Sequence, residues 1–279
     1  VVGGGCAGVS AAIEAAAAGA DVVLLERTGG LGGASAMSGG LIYLGGGTST
    51  QQACGVDDTP EEMFKFLMAA TGPGPDEDKV RLYCDESVAH HDWLVSCGIE
   101  FKPSIYQGTF PEPETDDGLM YSGGEDTHPW YDIATPAPRA HIPRMENKQP
   151  GERSGGWMLM HHLIETMNGH GVRTELDITV DRLVVDDDGT VAGLVARRFG
   201  AEVPIRARRG VILAAGGFVY NDDMLAHHAP MLVGLNKLGT DSDDGRGILM
   251  AQAIGAAVRH MDASECAYAG TTGLIAPSI

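Results

Sequence analysis

The chain has 279 residues, 43% of them apolar, enough for one large domain or one domain plus part of another. Its formal net charge is -19, from 19 basic and 38 acidic residues. That balance excludes DNA, RNA and anionic lipid as partners, so any bound phosphate must be held by local dipoles rather than by a basic field.

Glycine is frequent, 40 residues in clusters without a fixed period. This excludes collagen and points to close approaches between backbone and a ligand. The five cysteines (Cys6, Cys54, Cys84, Cys97, Cys266) include no C-x-x-C pair. A disulfide framework or zinc site is therefore not expected, and a reducing cytoplasm fits. No apolar run of about 18 residues occurs, so no membrane span is expected, and no signal peptide is visible. The chain reads as incomplete: it opens at Val1-Val2 directly before a glycine turn and stops at Ile279 without a closing element.

Val1–Gly5 reads as a strand end entering a turn, and Ala7–Gly19 as an Ala-rich helix stopped by Gly19. Asp21–Glu26 (DVVLLE) is a near-continuous apolar run, as in a central parallel strand. Gly29–Gly47 is too rich in glycine and serine to be regular throughout. Thr59–Thr71 opens Thr-Pro-Glu-Glu, an N-cap signal. Asp76–Cys97 reads as one long amphipathic helix ending at Gly98, and Lys102–Glu152 as an irregular excursion. Ser154–Gly171 is helical again. Val172–Gly217 holds short strands with hairpin signals at Asp187-Asp188-Gly189 and Gly200. Gly210–Gly217 (GVILAAGG) reads as a buried strand running into a glycine turn, and Asp244–Gly255 as a further helix.

Four constellations carry chemistry. The first is Gly3-Gly4-Gly5-Cys6-Ala7-Gly8, a G-x-G-x-x-G pattern. Gly3 allows the turn, Gly5 the approach of backbone N–H groups to a pyrophosphate, and Gly8 the packing of helix on strand. Cys6 fits there simply as a small side chain. Glu26, at the end of the second strand and roughly 20 residues on, is placed to accept from a ribose hydroxyl. Arg27 lies on the adenine or faces solvent. The second is Gly32–Gly40, with Gly33, Ala34, Ser35, Ser38, Gly39 and Gly40 as candidate contacts. A nicotinamide enzyme has no need of this second small-residue loop. A flavin, whose rings lie deeper and take backbone donors, does. The third is Leu213–Phe218, where Ala214, Ala215 and Gly216 close against the cofactor. The fourth is Asp241–Gly245, where Asp244 accepts from a ribityl hydroxyl. Val180 is also assigned to the cofactor site.

Together these resemble the flavoprotein family of fumarate reductase, succinate dehydrogenase and 3-ketosteroid dehydrogenases. The Gly-Gly-x-Ser-x-x-Ser-Gly-Gly stretch of that family is matched at 32–40, and its Ala-Thr-Gly-Gly-Phe as Ala214–Phe218. Its Thr-Gly-Asp-Gly is matched in part by Asp243-Asp244-Gly245. The stretches Ser38–Thr48, Asp117–Glu125 and Ala137-Pro138-Arg139 look like the 3-ketosteroid Δ4-(5α)-dehydrogenase type.

The resemblance implies an α/β fold: a Rossmann-like FAD-binding domain with a parallel central sheet and an added antiparallel β layer, over 1–262. Residues 263–279 would begin a truncated substrate domain. It implies noncovalent FAD, because residues 32–47 lack the flavin-linking histidine of the succinate dehydrogenase branch. It also implies an apolar substrate, a 3-ketosteroid, with hydride passing between substrate carbon and flavin N5, and an unknown electron acceptor. The family's catalytic tyrosines and serine follow Ile279, so no catalytic residue is assigned. Tyr43, Tyr121 and Tyr268 are candidates without a role. The alternatives are a fumarate-reductase-like enoate reductase and an inactive FAD-binding module. The pairs His90-His91, His161-His162 and His227-His228 read as surface or interface histidines rather than metal ligands, since helix neighbours point apart.

Overall fold

A computed structural model describes residues 1–72, 74–108, 113, 115–145 and 155–263. Cys266, Tyr268, nearly all of the expected 263–279 segment, residues 146–154 and part of the acidic stretch at 112–117 lie outside the described residues. The chain divides into two compact units, Val1–Met37 with Leu163–Ile279, and Ser38–His162. The sequence reading had placed both inside one domain, 1–262.

The first unit opens with Val2, which bridges in parallel to both Leu25 and Leu213. Helix α1 (Cys6–Ala17) follows at once. It buries Gly8, Val9, Ala12 and Ile13 on one face, the spacing of an amphipathic helix. Strand β1 (Val23–Leu25) is shorter than the apolar run that contains it, and its Leu24 and Leu25 are buried. The small-residue loop contains a five-residue helix, α2 (Gly33–Met37).

The second unit is built on a three-stranded antiparallel sheet with helices beside it in sequence. Strand β2 (Ile42–Tyr43) precedes α3 (Ser49–Ala53), which starts with a capping box made by Thr48 and Gln51. Helix α4 (Pro60–Ala70) is capped by Thr59, with Pro60 at its first position and Glu61 and Glu62 in its first turn. The expected helix over 76–97 is two, α5 (Glu77–Asp85) and α6 (Ser87–Ser96), broken at Glu86. The break has a tertiary cause. Ser87 Oγ accepts the Gly45 amide at 2.8 Å, and His91 is fully buried against Thr50 at 2.9 Å. His91 is therefore a core residue, not the surface or interface histidine expected. Strands β3 (Leu119–Met120) and β4 (Ala140–His141) complete the sheet in the order β2-β4-β3.

Helix α7 (Gly155–Gly169) leads back to the first unit. There β5 (Arg173–Glu175) pairs in parallel with β1, as expected of a parallel central sheet. Strands β6 (Thr179–Val185), β7 (Val191–Arg198) and β8 (Ala201–Arg206) form the added antiparallel layer. Its two turns fall where the sequence marked them. At the second, Phe199 and Gly200 both have positive φ, 48° and 85°, which suits a two-residue hairpin. The expected buried strand at 210–217 is only a one-residue bridge at Leu213, with Ile212 43% exposed. Its ladder stops because the neighbouring segment turns away at Gly3, φ 104°. Helices α8 (Asp222–His228) and α9 (Arg246–Gln252) close the unit. Val2, Leu25, Ile178, Val180, Leu194, Ala196 and Met250 form its core.

Candidate cofactor site

A cavity of about 510 Å³ opens in the first unit at the carboxyl end of β1, within the usual size range of small-molecule sites. The glycine turn forms one wall. A Cβ on Gly3 would lie 2.2 Å from the Ala214 carbonyl oxygen, and one on Gly8 only 1.9 Å from the Gly3 carbonyl oxygen. Neither position accepts another residue without backbone movement. Gly5 is the N-cap of α1 in extended conformation and, having no side chain, caps none of the first-turn amides itself. The orphan amides of a three-turn helix thus face the cavity, an arrangement that favours an anion. Cys6 N–H donates to Ser35 Oγ at 3.2 Å, tying the turn to α2.

Glu26 is fixed through both oxygens. Oε2 accepts the Gly4 amide at 2.7 Å and Oε1 the Thr28 amide at 2.8 Å. Arg27 donates from Nη1 to Asp244 Oδ2 at 2.6 Å. Burial pushes the Asp244 carboxyl up, but the Arg27 hydrogen bond and the Arg246 amide outweigh it, and its pKa is lowered. The two residues assigned separately to a ligand therefore pair with each other.

Of the residues singled out in the sequence, Gly3, Gly4, Gly5, Cys6, Ala7, Glu26, Arg27, Gly33, Ala34, Ser35, Val180, Ala214, Ala215, Gly216 and Asp244 all line this one cavity. Gly8 does not; it packs against Gly3. Ser38, Gly39 and Gly40 belong to the second unit. There the Ser38 carbonyl accepts the Gly156 amide, and Gly40 takes φ 73°, its absent Cβ leaving room for Gly155. Tyr43 and Tyr121 also lie in the second unit, with hydroxyl pKa values raised by burial.

The cavity further contains Thr28, Thr179, Thr240 and Arg246, which carry no motif in the sequence, and Ser242 and Asp243, which belong to the 241–245 constellation without a role of their own there. Thr179 and Asp243 adjoin assigned residues and were within reach of the same reasoning. Arg246 had no signal, because its position depends on α9 packing beside β6. No group of three His, Cys, Asp or Glu residues suited to a metal occurs among the described residues. No helix among them is long and apolar enough to cross a membrane.

Residues 1–273 match the sequence model of the FAD binding domain. Among solved structures, the chain is similar to the 3-ketosteroid-Δ4-(5α)-dehydrogenase of Rhodococcus jostii RHA1 in complex with 4-androstene-3,17-dione. Identity is 57% and the TM-score 0.91, covering 94% of this chain and 54% of that one. Among curated proteins it is 32% identical over 202 residues to the 3-oxo-5-alpha-steroid 4-dehydrogenase of Comamonas testosteroni, 70% of this chain and 36% of that protein. It is 28% identical over 265 residues to a fumarate reductase (cytochrome) of Shewanella frigidimarina, 94% of this chain and 40% of that protein. The chain thus spans about half or less of the length of these relatives. The α1 terminus at Gly5, the glycine contacts that exclude a Cβ and the fixed carboxylate of Glu26 fit the ADP half of FAD. The chain belongs to the FAD-binding domain family.

Proposed function

We propose that the protein carrying this chain is an FAD-dependent oxidoreductase that acts on the CH–CH bond next to the ketone of a 3-ketosteroid. The observation that carries this reading is the 57% identity, over 94% of the chain, to a dehydrogenase whose structure contains 4-androstene-3,17-dione. FAD, when bound, supplies the two-electron couple for hydrogen transfer at such a bond. The residues of this chain bind and orient it. Backbone amides at Gly5 and in the first turn of α1 beyond Cys6 receive the pyrophosphate, since the Gly4 and Cys6 amides are already bonded to Glu26 and Ser35. Glu26, oriented by the Gly4 and Thr28 amides, accepts from the adenosine ribose. Gly33, Ala34 and Ser35 on one side and Ala214, Ala215 and Gly216 on the other enclose the remainder, with Ser38, Gly39 and Gly40 completing the small-residue stretch. Attachment is noncovalent, in keeping with the absence of histidine from 32–47. Four free cysteines among the described residues suit a reducing cytoplasm. The electron acceptor is left unassigned.

A fumarate-reductase-like enoate reductase is the second reading, supported by the 28% identity to the Shewanella enzyme. The full-length protein decides between them. Purified with its flavin absorption, it is expected to reduce an artificial dye with a saturated 3-ketosteroid as donor. Protein that takes up no FAD, or turns over fumarate with a reduced dye but no ketosteroid, overturns the first reading.

A further inference from the structure

We propose that the Arg27–Asp244 ion pair makes the ribose end of the cavity reject nucleotides carrying a 2′-phosphate, so that Asp244 is a specificity residue as well as a wall of the site. This rests on the reading of the cavity as an FAD site with Glu26 at the adenosine ribose.

An acid at the end of the second strand accepts from a free 2′-hydroxyl, whereas sites that take a 2′-phosphate present an arginine nearby. This chain has both residue types side by side. Glu26 is held in place by two backbone amides, and Arg27, the next residue, lines the same cavity. A free guanidinium there would offer the fork that phosphate binds best. Asp244 occupies it at 2.6 Å, joining the end of β1 to the residue before the N-cap of α9, 217 positions away. Both side chains are only about 30% exposed, 30% and 28%, so solvent screens the pair incompletely.

The other arginine of the cavity is committed as well. Arg246 Nη2 lies 3.7 Å from the same Asp244 oxygen and its Nη1 3.8 Å from Asp181, which Arg197 also engages at 3.1 Å. A 2′-phosphate entering here meets Glu26 and Asp244 and finds no free cation among the lining arginines. A 2′-hydroxyl needs only an acceptor. The discrimination therefore comes from charges set against the wrong ligand.

The test uses the full-length protein. FAD uptake is followed by quenching of flavin fluorescence, with 5′-ADP or 2′,5′-ADP as competitor at fixed ionic strength. The wild type is expected to prefer 5′-ADP by about tenfold or more, a difference of about 1.4 kcal/mol. Asp244→Asn, and Asp244→Ser as a second variant, should shift the affinity ratio toward 2′,5′-ADP about three- to tenfold, because Arg27 is released. The double variant R27Q/D244N should lose that gain. An unchanged ratio in both Asp244 variants, or a gain that survives the loss of Arg27, overturns the proposal. A wild type that takes up no FAD at all overturns the cofactor reading beneath it, and shows this before any competitor is added.

Discussion

In the second unit, Arg139 donates from Nε and Nη2 to the two oxygens of Asp58, at 3.0 and 2.7 Å, with side chains 0% and 1% exposed. Asp58 also accepts from the Gly46 amide and from Gln51 Nε2. Burial raises the Asp58 carboxyl, yet Arg139 and these donors hold its pKa below the usual value. Removing one partner strands a buried charge, which costs about 3–5 kcal/mol. Arg139→Met should show that loss in denaturant unfolding. Asp58→Asn added to it should recover part of the loss, since no carboxylate then remains.

His141 donates from Nδ1 to the Arg139 carbonyl at 3.0 Å, so its Nε2 accepts from the Thr48 hydroxyl at 2.8 Å. Burial pushes its pKa down to about 4. Between about pH 6.5 and 4 the unfolded chain binds a proton that the folded one refuses, so stability is full above that window and falls as pH drops through it. The total is up to about 3 kcal/mol. Glu125, raised by burial, titrates with the opposite sign. The comparison is therefore wild type against His141→Gln at each pH, and their stability difference should shrink on acidification. A constant difference contradicts the buried neutral imidazole.

Gly8→Ala would put a Cβ 1.9 Å from the Gly3 carbonyl oxygen. The helix and the glycine turn must separate, so FAD affinity should fall at least about tenfold, the scale of 1.4 kcal/mol. Flavin content after purification measures it. Gly19→Ala is the control for FAD binding: a Cβ there meets nothing within 4 Å, and only its positive φ is strained.

Ser87→Ala removes the acceptor of the buried Gly45 amide. A stranded buried donor costs about 1–3 kcal/mol, which should appear as a lowered unfolding temperature. FAD uptake in the variant should match the wild type, because neither Ser87 nor Gly45 lines the cavity.

The features legible in the sequence are those that local chemistry decides. The Thr59-Pro60 cap, the hairpin signals at 187–189 and Gly200, and the glycine turn with Glu26 each act within a few residues or one βαβ unit. What escaped depended on distant partners. Glu86 looks like helix interior until Gly45 and Thr50 are brought against Ser87 and His91. Arg27 and Asp244 were each matched to a ligand because nothing in the sequence says that they meet. The strand at 210–217 was overread because its length depends on where Gly3 turns its neighbour away.

The cavity draws its walls from Val2–Met37 and from Ile178–Met250, with the whole of the second unit encoded between them. On the ribosome the glycine turn is made before the second unit, yet Leu213 and Asp244 arrive only after that unit has been synthesised. The second unit has its own sheet and buried ion pair, and can form while the turn waits. The loop that must close between the two walls is long, and non-local pairing of this kind forms late. Cofactor capture thus has to follow synthesis of the second unit. Until then the cell handles a chain whose most anion-seeking amides have no pocket around them.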